Sequence, residues 1–220
     1  MTAQAPAYIS PGNQLIRLPV DEFLAMLAGD TDVPGGGSAA ALAGSLGAAL
    51  AGMVARLTVG RPRYAAVEDE MANWRDQADA LWARLAALVD ADAEAYRQVS
   101  AAYRLPKDTD EQKARRRAAI RTALEGALLP PLQTAAACVD VLEMLPALIA
   151  QGNRNAVTDA TVGALLAHAG LQAAVRNVLA NIEALGDKGV AHDARARTVE
   201  LLSAGQAALS AALATAGSGE

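Results

Sequence analysis

Aromatic residues make up only 3% of this 220-residue chain, although hydrophobic residues make up 53%. The apolar content is therefore largely Ala and Leu, which favour helix, and not the β-branched and aromatic side chains that build sheets. No stretch alternates apolar and polar residues with Val, Ile, Thr and Tyr, so no significant sheet is expected. Cysteine is almost missing too. The single Cys138 excludes a disulfide framework and a cysteine-rich metal site, and it reads as a small core residue in a reducing compartment. His168 and His192 have no second ligand at metal spacing, so no metal is expected. The chain also lacks a basic excess. Its net charge is −5, and Arg115-Arg116-Arg117, the one basic run, reads as a solvated helix face, so no nucleic-acid partner is expected. Nucleophilic triads are absent as well: Ser38 has no strand-to-helix elbow and Cys138 no histidine partner.

Residues 39–55 carry no charge and approach membrane-span length. Ala and Gly dominate them, however, which suits a central helix crowded by neighbours better than a span. Exposed basic and apolar faces of the kind a membrane-surface bundle needs are not found. The N-terminus has neither a basic n-region nor an apolar h-region, which points to a cytoplasmic protein.

The fold class is all-α: one bundle of long helices over 19–216 behind a mobile or surface-draped arm, 1–18. A short helix runs from Val20 or Asp21 to Ala28, a second from Ser38 to Thr58, and a third from Ala65 or Ala66 to Leu105, with no Pro or Gly inside it. Pro106 to Thr109 form a turn, with Thr109 or Asp108 capping a fourth helix that Pro130-Pro131 kinks or restarts on its way to Ala150. Two more helices, Val157 to Leu185 and Val190 to Ala214, complete the bundle.

The densest glycine cluster, Gly35-Gly36-Gly37 followed by Ser38, precedes the second helix. Three glycines suit a backbone that turns sharply or lets a neighbour come close. With Ser38 as N-cap, the loop would present free N–H groups and a positive dipole end to an anionic or electron-rich guest.

Two helix faces break the ordinary pattern. In the third helix the apolar stripe Leu81, Leu85, Leu88, Tyr96, Val99, Tyr103 is completed by Asp92. A carboxylate on a core stripe needs a partner or acquires a perturbed pKa; it either bonds a buried backbone group or an arginine, or it serves a site. Asp90 lies on a flanking face as a rim residue. In the fifth helix Asp159, Gly163, Ala167, Gly170, Ala174, Asn177 and Asn181 line up at steps of four and three, small in the middle and polar at the ends. Close helix packing explains Gly and Ala. Asn177 and Asn181 need another reason, since unpaired buried amides are expensive. Asn153 and Asn155, just before this helix, read as turn and cap residues or as site residues.

These residues carry a resemblance. The segments Pro34 to Ala41, Met53 to Tyr64, Val89 to Tyr96, Leu105 to Lys113, Gly152 to Asp159 and Asn177 to Asn181 are similar, in order, to the cyclodeaminase/cyclohydrolase family of tetrahydrofolate enzymes. The resemblance implies an all-helical homodimer acting on a one-carbon unit between N5 and N10 of tetrahydrofolate. One family reaction hydrolyses 5,10-methenyltetrahydrofolate to 10-formyltetrahydrofolate; the other is cyclodeamination of 5-formiminotetrahydrofolate. The lack of room for a fused formiminotransferase, together with Tyr103 to Lys107 and Ala167 to Leu171, points to a stand-alone cyclohydrolase. Where many members have a Lys-rich segment, this chain has Arg61-Pro62-Arg63-Tyr64, a candidate holder of the folate glutamate tail.

The expected mechanism places Asp92 as the group that activates water or supports the cationic methenyl carbon, with Asp159 as second acid/base. Asn177 and Asn181 would bind the pterin or orient water. The Gly35 to Ser38 backbone would contact the pterin or the folate carboxylates. The competing account is a non-catalytic helical folate-binding or assembly protein whose small-residue stripes are packing seams.

Overall fold

A computed structural model describes residues 14–186 and 189–218. Seven α-helices run through them, and no strand is found among the described residues: α1 Val20–Leu27, α2 Gly36–Thr58, α3 Glu68–Tyr103, α4 Asp110–Gly126, α5 Leu129–Gln151, α6 Val157–Leu185 and α7 Val190–Gly217. Short 3-10 turns at Leu15–Arg17, Pro62–Val67 and Arg154–Ala156 link them.

The breaks follow local chemistry. Thr109 caps α4 through a capping box with Gln112, which satisfies orphan N–H groups on both sides of the cap. Pro130 and Pro131 occupy the first turn of α5, where a missing N–H is tolerated. The expected fourth helix is therefore two, separated at Ala127 and Leu128. Pro146 sits inside α5 without ending it.

The second helix starts two residues earlier than its sequence suggested. Gly35 is the N-cap, without a side-chain bond, and Ser38 lies inside the helix with its hydroxyl bonded to α3 instead. Part of the expected arm is packed. Residues 1–13 lie outside the described residues, whereas Leu15 is 1% exposed and its N–H donates to Asp90 Oδ1.

At the centre lies α2, with α3 on one side, α6 on the other and α5 behind. Both flanking helices run antiparallel to it. Added Cβ atoms place Gly44 against Leu85 and Gly52 against Ala78, and Gly170 beside Ala40 and Gly44, and Gly47 against Gly163. The core between them is mostly alanine, including Ala41, Ala48, Ala51, Ala164 and Ala167, all at 0% exposure. Such small side chains bring helix axes close, so the backbone itself becomes the packing surface. Cys138 fills the notch left by Gly44 and Gly170; burial pushes its thiol up to about 12.

Candidate functional site

The antiparallel packing aims the N-terminus of α2 at the middle of α3. There the stripe that is buried at Leu85, Leu88 and Val89 leaves the core. Asp92 stands at the boundary, half-buried, while Tyr96 and Tyr103 beyond it are each 49% exposed.

Asp92 lies directly on Gly37, and any Cβ at position 37 would overlap its carboxylate. Here glycine is required by close approach. Ser38 Oγ lies 3.0 Å from Asp92 Oδ2 and 3.0 Å from the Val89 carbonyl oxygen, so its single proton is shared between them. The Ser38 backbone N–H also bonds the carboxylate. The anion held at this helix terminus is thus the protein's own aspartate, and an outside anion at the glycine loop would face Asp92. Burial raises the Asp92 pKa above the ordinary carboxylate value, and the Ser38 hydroxyl and amide only partly oppose it. The site offers a basic carboxylate at an apolar rim, suited to a cationic or proton-releasing guest.

Asn177 joins this end. Its amide lies 3.9 Å from the position of a Cβ on Gly36, and its Nδ2 donates to the Ala173 carbonyl at 2.9 Å. That bond leaves Oδ1 free to accept. Tyr96, one helical turn beyond Asp92, presents an open ring on the same face. Sequence periodicity assigned it to the core stripe, whereas the structure leaves it half-exposed.

The other expected site residues lie elsewhere. Asn181 Nδ2 donates to the Ala127 carbonyl at 2.8 Å, satisfying an orphan acceptor at the end of α4. That bond accounts for an asparagine in the stripe without a ligand. Asp90 faces away from Asp92 and anchors Leu15; its Oδ2 is buried without a partner. Asn153 donates through Nδ2 to the Leu57 carbonyl and through its N–H to Thr58 Oγ1, while its Oδ1 accepts from the Asn155 N–H. Tyr64 accepts from the Arg154 N–H at 3.1 Å. Asn153, Asn155 and Tyr64 therefore join the C-terminal end of α2 to the start of α6. Asp159, in the first turn of α6, belongs to this end too, as do exposed Arg61 and Arg63.

The expected residues thus form two groups at opposite ends of α2, about 30 Å apart at 1.5 Å per residue. Asp92 and Asp159 are not brought together within one chain. Among the described residues, no group of three or more His, Cys, Asp or Glu side chains converges as a metal site would require.

Comparison with known proteins bears on this geometry. The sequence profile described as Formiminotransferase-cyclodeaminase matches residues 19–200. A methenyltetrahydrofolate cyclohydrolase of Methylorubrum extorquens is 39% identical over 174 residues, covering 79% of this chain and 84% of the relative. A formimidoyltransferase-cyclodeaminase of Sus scrofa is 34% identical over 192 residues; the match covers 87% of this chain and 36% of that longer protein. The crystal structure of formiminotetrahydrofolate cyclodeaminase from Thermotoga maritima superposes with a TM-score of 0.75 at 28% identity, covering 91% of this chain and 94% of that one.

Proposed function

Since the chain belongs to the formiminotransferase-cyclodeaminase family, we propose that it is a tetrahydrofolate one-carbon enzyme that hydrolyses 5,10-methenyltetrahydrofolate to 10-formyltetrahydrofolate. The observation that carries the reading is the Asp92 carboxylate, seated on Gly37, partly desolvated and raised in pKa. The methenyl substrate carries its positive charge on the N5–CH–N10 unit, and a carboxylate at an apolar rim is complementary to that charge.

The reaction follows from the same group. Water adds to the methenyl carbon, and Asp92 accepts the proton released. The resulting tetrahedral carbon then breaks its bond to N5, which takes a proton back from Asp92, leaving the formyl group on N10. The second proton of the water goes to solvent. A raised pKa suits both halves, because the same carboxyl must take and return a proton near neutral pH. Tyr96 would lie along the pterin, and the free Oδ1 of Asn177 would accept from its ring N–H or amino group.

The resemblance to a cyclodeaminase structure favours a second reaction at the same site, ring closure of 5-formiminotetrahydrofolate with loss of ammonia. It passes through the same tetrahedral carbon. The proposal includes a homodimer in the cytoplasm, supported by the family resemblance and by a lone buried thiol.

Asp92→Asn is expected to lower turnover at least a hundredfold with an unchanged circular dichroism spectrum. The assay follows loss of the methenyl chromophore above its spontaneous rate, and its appearance from the formimino compound. Near-normal rates in both assays would overturn the role of Asp92.

A further inference from the structure

Among the described residues, the outer face of α2 has no partner. Its other faces meet α3, α5 and α6, but Leu42, Leu46, Ala49 and Met53 share the remaining side, with Leu46 48% exposed. No charge interrupts residues 36–55. The face continues onto α6, where Val162 is 42% exposed. Two neighbouring helices of this length offer about 600 Å², close to the roughly 800 Å² per partner of a stable interface.

The stripe has a further property. Positions 42, 46, 49 and 53 are symmetric about the middle of α2, so an antiparallel copy pairs Leu42 with Met53 of the partner subunit and Leu46 with Ala49 of the partner subunit. This is the self-complementarity of a two-fold interface. Unpaired arginines lie at one end of α2. At the C-terminal end of α2, Arg61, Arg63 and Arg154 make no ion pair among the described residues, although Asp159 and the acidic first turn of α3, Glu68 to Glu70, lie at that end as well; the other end carries Asp92 and exposed Asp30. Antiparallel pairing brings these unpaired arginines of one copy to the Asp92 end of the other.

We infer that a second copy of this chain docks on the α2 face and completes each site, with the partner subunit's Arg61 and the partner subunit's Arg63 binding the glutamate carboxylates of the folate whose one-carbon unit lies at Asp92. Within one chain the arginines and Asp92 are separated by the length of α2, beyond the reach of one tetrahydrofolate. Across the two-fold they become neighbours. The inference rests on the folate reading and explains why the site residues divide between the two ends of α2.

Two experiments test it. Leu46→Glu places a charge on an exposed position and should leave the helical spectrum intact. Sedimentation is expected to show a dimer for the unmodified chain and a monomer for this variant, with activity at least tenfold lower. In the second, Asp92→Asn and the double variant Arg61→Ala/Arg63→Ala are co-expressed with different tags and purified through both. Assayed well below KM, each homodimer is expected to be at least tenfold impaired, and the heterodimer to recover about half the unmodified rate because one of its two sites is whole. A fully active Leu46→Glu monomer, an unimpaired arginine variant, or a heterodimer no better than its parents overturns the inference. So does an unmodified chain that is monomeric and floats with phosphatidylcholine/phosphatidylserine vesicles, which would assign the face to a membrane. If the unmodified chain turns over neither folate, the functional reading fails instead, and sedimentation of Leu46→Glu still decides the face.

Discussion

Asp92 stood out in the sequence because a carboxylate completed an apolar stripe, and the structure explains what keeps it there. Its partners are Ser38, fifty-four positions away, and the bare Cα of Gly37. Neither was readable as such: Ser38 resembled an N-cap, and its actual bond requires α2 and α3 to be packed already. The Ser38 hydroxyl lowers a pKa that burial raises, so Ser38→Ala is expected to raise the Asp92 pKa further. The base must be ionised to act. Activity is lost as pH falls through that pKa, so the acid limb of the kcat/KM profile should move to higher pH in the variant, with little change on the alkaline side. A pH–rate profile measured on both proteins checks this; an unmoved acid limb would separate Ser38 from the chemistry. The linked stability effect has a defined sign as well. A carboxyl with a raised folded pKa destabilises the fold once ionised, so Asp92→Asn should melt higher than the unmodified chain at neutral pH, the difference disappearing in acid as both carboxyl states become protonated.

Helices were legible wherever a strong local signal bounded them. The Thr109 capping box, the Pro130-Pro131 start and the span of α6 follow from side chains near in sequence. The small stripe of α6 was legible too, as a surface for close approach, and α2 occupies it: a Cβ on Gly170 would lie 2.8 Å from the Ala40 carbonyl oxygen and 3.0 Å from the Gly44 nitrogen. Backbone cannot step aside as a flexible side chain can. Gly170→Ala is therefore expected to destabilise by about 1–3 kcal/mol. Gly126→Ala, in the last turn of α4 with nothing within 4 Å of its Cβ, should stabilise by about 0.4–1 kcal/mol. Urea unfolding of the pair gives opposite shifts of the midpoint if packing decides, and equal upward shifts if helix propensity alone does. Asn181 illustrates what a stripe does not reveal, because its partner is a carbonyl at the end of another helix.

Over the whole molecule, the chain closes on itself through contacts remote in sequence. Leu15 enters the core and is tied to Asp90 across seventy-five positions, so a segment expected to drape the surface is part of the packing. Leu15→Ala is expected to lower stability by about 2–5 kcal/mol, read from urea unfolding, as for other large-to-small changes at buried sites. A loss below about 0.5 kcal/mol would mean that the segment is only loosely docked. By itself the sequence determined the helical class, because Ala and Leu dominate and sheet formers are scarce, and it determined the unusual positions, because a charge or an amide in an apolar stripe is visible as periodicity. Only the tertiary structure decided which of those positions meet. The direction in which α3 and α6 run along α2 is set by glycine and alanine contacts between backbones. That direction placed Asp92 and Asn177 at one end, and Asp159 with the arginines at the other.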